Sequence, residues 1–317
     1  MAISSVASGY DGVSLLVGNA AYVPIAAPTA LFAGGYTGSV RVTTIDSITI
    51  GTTGNGTNFG TLSILSSDGA GVGSEYRAVF HLGGGAAYYA TLEYLTFTSG
   101  GNTTNFGSLA IAKNGTASCS SATRGIFSGG DSGAGPRADI DYITIATVGN
   151  STNFGNQYAT KHTRAGCSST TRGIFAGGTG GGESDVIEYI TIASTGNGTS
   201  FGTLNQTKYG QGACSSATRA IFASGYRSTG YLIRIDYVDM ASLGNSQNFG
   251  DITQSRFQIR GASSSTRGVF AGGDASGTNV NTIDYITIAS TGNATDFGDL
   301  TAARNATDSC SNAHGGI

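Results

Sequence analysis

The chain has 317 residues with 52 Gly, 15 Tyr, 14 Phe, 4 Cys and no Trp, and only 11% of its residues are charged. A typical soluble domain carries about 7% Gly and about 25% charge, whereas disordered low-complexity sequence reaches about 25–30% Gly plus Pro. With 52 Gly but only 3 Pro, the chain reads as folded and turn-rich, and its formal net charge of −3 argues against nucleic acid or an anionic membrane as the main partner.

In chain order, residues 1–27 come first and match nothing that follows. Met1-Ala2-Ile3-Ser4-Ser5 has no basic region before an apolar run, so no secretory signal is expected, and no stretch approaches the length of a membrane span. Tyr10, Leu15, Leu16, Val17, Tyr22, Val23 and Ile25 give this arm much apolar surface. It is expected to pack along the outside of the fold or onto a neighbouring copy or another assembly protein.

From about residue 28 the chain repeats. The dipeptide Phe-Gly starts at Phe59, Phe106, Phe154, Phe201, Phe249 and Phe297, with steps of 47, 48, 47, 48 and 48. A second Phe series runs through Phe32, Phe80, Phe127, Phe175, Phe222 and Phe270 with the same period. One unit spans Lys161 to Leu204. Lys161 to Cys167 reads as a short strand a, and Arg172 to Gly178 as an apolar strand b ending in a glycine pair. Ile187 to Ile192 is a β-branched and aromatic strand c, Thr195-Gly196-Asn197 a tight turn, and Phe201 to Leu204 strand d. Four short antiparallel strands repeated six times predict an all-β, six-bladed β-propeller over residues 28–317.

The glycine pair after strand b, the acid-aromatic start of strand c and the aromatic-x-x-Leu of strand d resemble kelch repeats. Phe stands where the kelch pattern has Trp. The pair is kept at Gly34/Gly35, Gly129/Gly130, Gly177/Gly178 and Gly272/Gly273, and reduced to Leu82/Gly83 and Ser224/Gly225. Strands b, c and d first appear between Thr29 and Leu62 with no strand a ahead of them. A sixth strand a, Arg304 to Cys310, follows the sixth strand d and is expected to close the ring in the first blade.

Equivalent positions form rings. Cys119, Cys167, Cys214 and Cys310 share a position with Val72 and Ala262, which predicts small, buried, reduced side chains with no disulfide. Six residues earlier stand Lys113, Lys161, Lys208, Arg256 and Arg304, with Ser66 in the remaining unit. Arg77, Arg124, Arg172, Arg219 and Arg267 open strand b, with Thr29 in the first unit. Asp46, Glu93, Asp141, Glu188, Asp236 and Asp284 open strand c. Because neighbouring strands run in opposite directions, the first cation set and the acids lie toward one face and the Arg set toward the other. Regular recurrence points to architecture, namely inter-blade ion pairs and bonds to turn carbonyls, rather than to an anion site or charged pore. Asn55, Asn102, Asn150, Asn197 and Asn293, each with Thr two places on, share one turn, which turn chemistry explains without glycans.

Catalytic and metal constellations are missing from the pattern. His81, His162 and His314 occupy non-equivalent positions, and no Gly-rich run carries a phosphate-loop ending, so no cofactor and no metal are expected. The b–c loops vary instead, and bring Tyr36, Arg41, Tyr88, Tyr89, Arg137, Tyr226, Arg227, Tyr231 and Arg234 to one face as a candidate partner or ligand surface. Low charge, abundant Gly/Ser/Thr/Asn, close repeats and an extra arm resemble components of tailed-phage particles. That resemblance implies a non-enzymatic virion protein for capsid decoration, tail or host attachment, with other virion proteins, a host-surface glycan or a receptor as partners. The alternatives are a glycan-binding propeller lectin and an enzyme built on the loops.

Overall fold

The computed structural model describes residues 27–317. They form six four-stranded antiparallel sheets and two two-stranded hairpins, with no helix. In the fourth blade, strand a is Ala165–Ser168, b is Arg172–Ala176, c is Val186–Thr191 and d is Thr199–Thr203. The inner a strands touch one another in succession around a closed ring, so the sheets are the blades of a propeller. The first blade takes its inner strand from the C-terminus: Asp308–Ser311 pairs antiparallel with Thr29–Ala33, setting Leu31 opposite Cys310.

Strand b is buried along nearly its whole length because a blade lies on both of its faces, whereas strand c buries only three of its six residues, Ile187, Glu188 and Ile190. Six apolar clusters fill the gaps between neighbouring blades. One joins Cys167, Ile174 and Ile187 to Ala220, Phe222 and Val238. Cysteine packs against strand b of the next blade, where it meets glycine or alanine. A Cβ on Gly173 would sit 2.5 Å from the Cys119 sulfur, while Cys310 packs in one cluster with Ala78 and Ala262 in another with Ala30. All four cysteines are free and buried.

The two strongest sequence motifs turn out to be partners. In each blade the Phe-Gly of strand d receives the c–d turn of the next blade. Gly149 N–H donates to the Phe106 carbonyl at 2.8 Å, Gly196 to Phe154 at 2.8 Å and Gly54 to Phe297 at 2.8 Å. The glycine after Phe lets the backbones meet, since a Cβ on Gly298 would stand 2.5 Å from the Gly54 carbonyl oxygen. The recurrent turn Asn caps the same strand. Asn55 Oδ1 accepts from Asp299 N–H at 3.0 Å, Asn197 from Asn156 at 2.9 Å and Asn293 from Asp251 at 3.0 Å. These side chains clasp neighbouring blades, a role beyond the turn preference expected of them.

Two expectations need correction or fall outside the description. Strand a is shorter than 161–167 and 304–310. It begins only at Ala165 or Asp308, because the chain first turns through a residue with positive φ. The six such residues are Asp68, Gly115, Thr163, Gly210, Gln258 and Ala306, with φ between 52° and 64°. They ring the axis, and five links are N–H to C=O bonds, among them Thr163 to Gly115 at 2.7 Å and Asp68 to Ala306 at 2.9 Å. The assembly role expected of residues 1–27 falls almost wholly on residues outside those described.

Candidate functional site

Strand direction places the b–c loops and d–a linkers on one face, with the a–b and c–d turns on the other. The cation and acid rings lie on the loop side, and they are wired within blades rather than between them. Lys113 Nζ lies 3.0 Å from Asp141 and 2.5 Å from Asp139, Lys208 lies 2.8 Å from Asp236, and Arg304 lies 3.0 Å from Asp46. Arg256 pairs with Asp284 in the same way. The pairing stays in the blade because the linker cation folds back over its own strand a onto strand c.

Two blades depart from this rule. Lys161 instead donates to the carbonyls of Gly180 and Gly182 at 2.8 and 3.1 Å, because the glycine-rich loop of its blade offers them. Arg164, from the start of strand a, takes its place 2.8 Å from Glu188. Glu93 has Ser66 in the cation position and is satisfied by Ser63 N–H at 3.1 Å and by the Ser63 and Thr103 hydroxyls. The acids also bind the preceding blade: Thr301 N–H donates to Asp46 at 2.9 Å and Asn205 Nδ2 to Asp236 at 2.8 Å. Each ring carboxylate is thus consumed by the fold.

The second Arg set spans blades. Arg77, Arg124, Arg172, Arg219 and Arg267 donate to the carbonyls of Ile145, Ile192, Met240, Ile288 and Ile50, at 2.6 to 3.0 Å. Each guanidinium also lies over a Tyr of its own blade, 4.4–4.5 Å from the ring centroid, as Arg172 does over Tyr189.

The loop residues spread around the loop face rather than forming one site. Tyr36 exchanges backbone hydrogen bonds with Asn305, Arg41 Nε donates to the Ser67 hydroxyl at 3.0 Å, and Tyr88 is exposed. Tyr89 is half-buried against the first-to-second blade core. Arg137 and Arg234 are drawn down onto Asp139 and Asp236 at 3.0 and 3.2 Å, while Arg227 sits in a hairpin. Only Tyr226 and Tyr231 enter a cluster. They pair across the hairpin Tyr226–Arg227/Gly230–Tyr231, and the linker residues Tyr209 and Phe257 close on them. Ring centroids lie 5.1 to 5.7 Å apart, and the Tyr231 hydroxyl donates to Asp274 at 2.9 Å. Tyr209 and Phe257 were missed by reading the loops alone. They share one linker position with Ser67, Asn114, His162 and Asn305, and only alignment of the linkers shows that it varies.

The axis holds a second, smaller feature. Between the ring of positive-φ residues and the turn face runs a cavity with about 90 Å³ of room for water centres. At the turn face, serine hydroxyls close on the inner edges of the strands. Ser168 Oγ donates to the Ser120 carbonyl at 2.7 Å, Ser215 to Ser168 at 2.8 Å, Ser263 to Ser215 at 2.8 Å and Ser311 to Ser263 at 2.7 Å. The second blade has Gly73 there, and the C-terminal tail crosses at that point. Gly316 N–H donates to His314 Nδ1 at 3.0 Å, so Nε2 carries the proton and faces the Gly73 carbonyl at 3.1 Å and the Ser120 hydroxyl at 3.0 Å. Burial pulls the His314 pKa down to about 4, which keeps the ring neutral.

Above the serines, Arg260 lines the cavity while Asp308 is fully buried beside the lining residue Gly69. Burial, opposed by Arg260 and reinforced by Asp68, raises the Asp308 pKa well above the carboxylate range. Asp68, which accepts from the Gln258 amide at 3.0 Å, is also raised by burial, against the pull of Arg260 and the Ser67 hydroxyl. No group of three or more His, Cys, Asp or Glu among the described residues has the arrangement of a metal site. A scan against protein-family models gives no match, and neither does a search of curated proteins.

Proposed function

We propose that the protein is a non-catalytic recognition propeller of kelch-like repeats whose working surface is the loop face. Its setting is the particle of a tailed phage, as a decoration, tail or attachment component. One observation carries the reading: six-fold regularity holds through the cores and the blade clasps, loosens to four blades of six in the linker ion pairs, and lapses on the loop face. There Tyr209, Tyr226, Tyr231 and Phe257 gather half-buried aromatic surface beside the Asp274 carboxylate. An architectural residue must recur in every blade, whereas a binding residue need not. Tyr-rich clusters on a rigid scaffold supply contact area at low entropic cost.

The cluster also favours a second reading, a glycan lectin, since aromatic rings beside a carboxylate suit the apolar faces and hydroxyls of a pyranose. The test uses the full chain and a Tyr226→Ser/Phe257→Ser variant with matching circular dichroism. Adsorption to intact bacterial cells that the variant loses supports an attachment role, and retention of selected sugars on a glycan array supports the lectin. Adsorption retained by the variant would move the working surface away from this face and overturn the assignment.

A further inference from the structure

The inner strands carry a small residue two places before the Cys/Val/Ala position: Ala70, Ala117, Ala165 and Gly212. The two blades on the approach to ring closure carry Arg260 and Asp308 there instead. Four blades form without a charge at this position, so neither residue is needed to build a blade.

Arg260 lines the axial cavity and is half-buried. Among the described residues it has no carboxylate at ion-pair distance, and its Nη1 donates only to the Ile259 carbonyl at 3.2 Å. The other cation of the lining, Arg164, is held by Glu188 at 2.8 Å. Arg260 therefore gives the cavity its one guanidinium, among the described lining residues, with no carboxylate at ion-pair distance, in a space walled by Ser hydroxyls and the edges of the inner strands.

We propose that the axial cavity is a binding site for a small oxyanion of carboxylate, sulfate or phosphate size, held by the Arg260 guanidinium. A guanidinium presents two parallel N–H groups to such an ion, and a confined, low-dielectric space strengthens the bond. Asp308 and Asp68 feel this charge, but neither stands at ion-pair distance from Arg260. Asp308 is 0% exposed, and its burial, reinforced by Asp68, favours the neutral acid against the opposing pull of Arg260 and the Gly69 backbone. The neutral acid leaves Arg260 free to act on a guest. The site is on the axis, apart from the aromatic cluster of the loop face, and stands or falls independently of it.

The test is calorimetric titration of the full chain with sodium sulfate, phosphate and acetate at constant ionic strength, with Gly-Gly as a chain-borne carboxylate. The comparison variant is Arg260→Ala, which installs the residue of Ala70, Ala117 and Ala165 and should fold normally. We expect saturable binding of at least one free ion, weakened more than about tenfold by Arg260→Ala and several-fold less by Arg260→Lys. Gly-Gly binding lost in the same variant would assign the site to a chain carboxylate. Binding unchanged in Arg260→Ala, or no saturable binding of any of these probes up to about 10 mM, would overturn the proposal. So would calcium binding that Asp308→Ala removes, because the cavity would then be a cation site.

Discussion

Arg304 Nη2 lies 3.0 Å from Asp46 Oδ2, with both side chains buried, so the last linker of the chain is bonded to the first complete strand c. The contact ties the closing strand to the rest of its blade. Removing one partner of a buried pair leaves an uncompensated charge, at a cost of about 3–5 kcal/mol. Arg304→Met should cost about this much in urea unfolding. The donors of Thr301 to Asp46 put the value toward the lower end. A loss below about 1 kcal/mol would show that the pair contributes little to closure.

Deleting residues 304–317 removes the inner strand of the first blade and exposes the edge of Thr29–Ala33, whose Ala30, Leu31, Phe32 and Ala33 are all buried in the intact ring. An open, apolar strand edge invites pairing between chains. Light scattering and size-exclusion chromatography should show oligomers or aggregate; a monomer with unchanged thermal unfolding would contradict the closure argument.

The close approach of Gly173 to Cys119 predicts a reciprocal effect. Gly173→Ala drives a Cβ to 2.5 Å from the Cys119 sulfur and should cost about 1–3 kcal/mol through overpacking. Adding Cys119→Ala should recover most of the loss, because Ala262 and Ala30 already make an Ala–Ala pair at another blade junction. Additive losses in the double-mutant cycle would mean that the two positions do not share one space. The same burial pushes the Cys167 thiol up to about 12 and that of Cys119 well above its usual range. No cysteine of the native protein should therefore react with a thiol reagent at pH 8.

How much of this was readable before the fold was known follows from what recurs. Phe201 and Phe175 recur at one period, so blade number, strand order and closure could be counted. The direct contacts could not, because Asn197 meets Asn156 across a blade boundary that no local pattern marks. Lys161 and Lys208 look equivalent in sequence, yet a glycine-rich loop captures the first and Arg164 replaces it. The candidate surface scattered because the b–c loops stand on six different blades, and only the fifth and sixth bring Tyr226, Tyr209 and Phe257 together. The seal made by His314 lay in a tail with no counterpart to compare.

Stability should rise with pH through the histidine range. Burial lowers the pKa of both His81 and His314 from 6.5 to about 4, so the unfolded chain binds more protons between these values. Their stabilising contribution is complete above about pH 6.5 and is lost as the pH falls toward 4. For the fully buried His81 it amounts to about 3 kcal/mol. His81 Nε2 donates to the Tyr89 carbonyl while Nδ1 accepts from Thr116, an arrangement that a second ring proton would break. His314→Gln should flatten part of the pH dependence without changing the neutral-pH fold. An identical profile would place the titration elsewhere.

Asp308→Ala should stabilise the protein. The carboxyl is buried with neither oxygen bonded, and an unsatisfied buried polar group costs about 1–3 kcal/mol. Ala70, Ala117 and Ala165 show that the inner strand accepts alanine there. Room for the carboxyl comes from Gly69, since a Cβ on that residue would stand 2.7 Å from an Asp308 oxygen and would clash with the His81 carbonyl. The pH signature runs opposite to that of the histidines. A buried acid with a raised pKa stabilises the fold fully only below the ordinary carboxylate pKa, and that contribution drains away as the pH climbs toward the raised value. The gain from Asp308→Ala should therefore be small near pH 4 and grow toward neutrality, read as the difference between paired thermal unfolding curves. A variant less stable than the parent at pH 7 would mean that Asp308 has a partner strong enough to offset its burial.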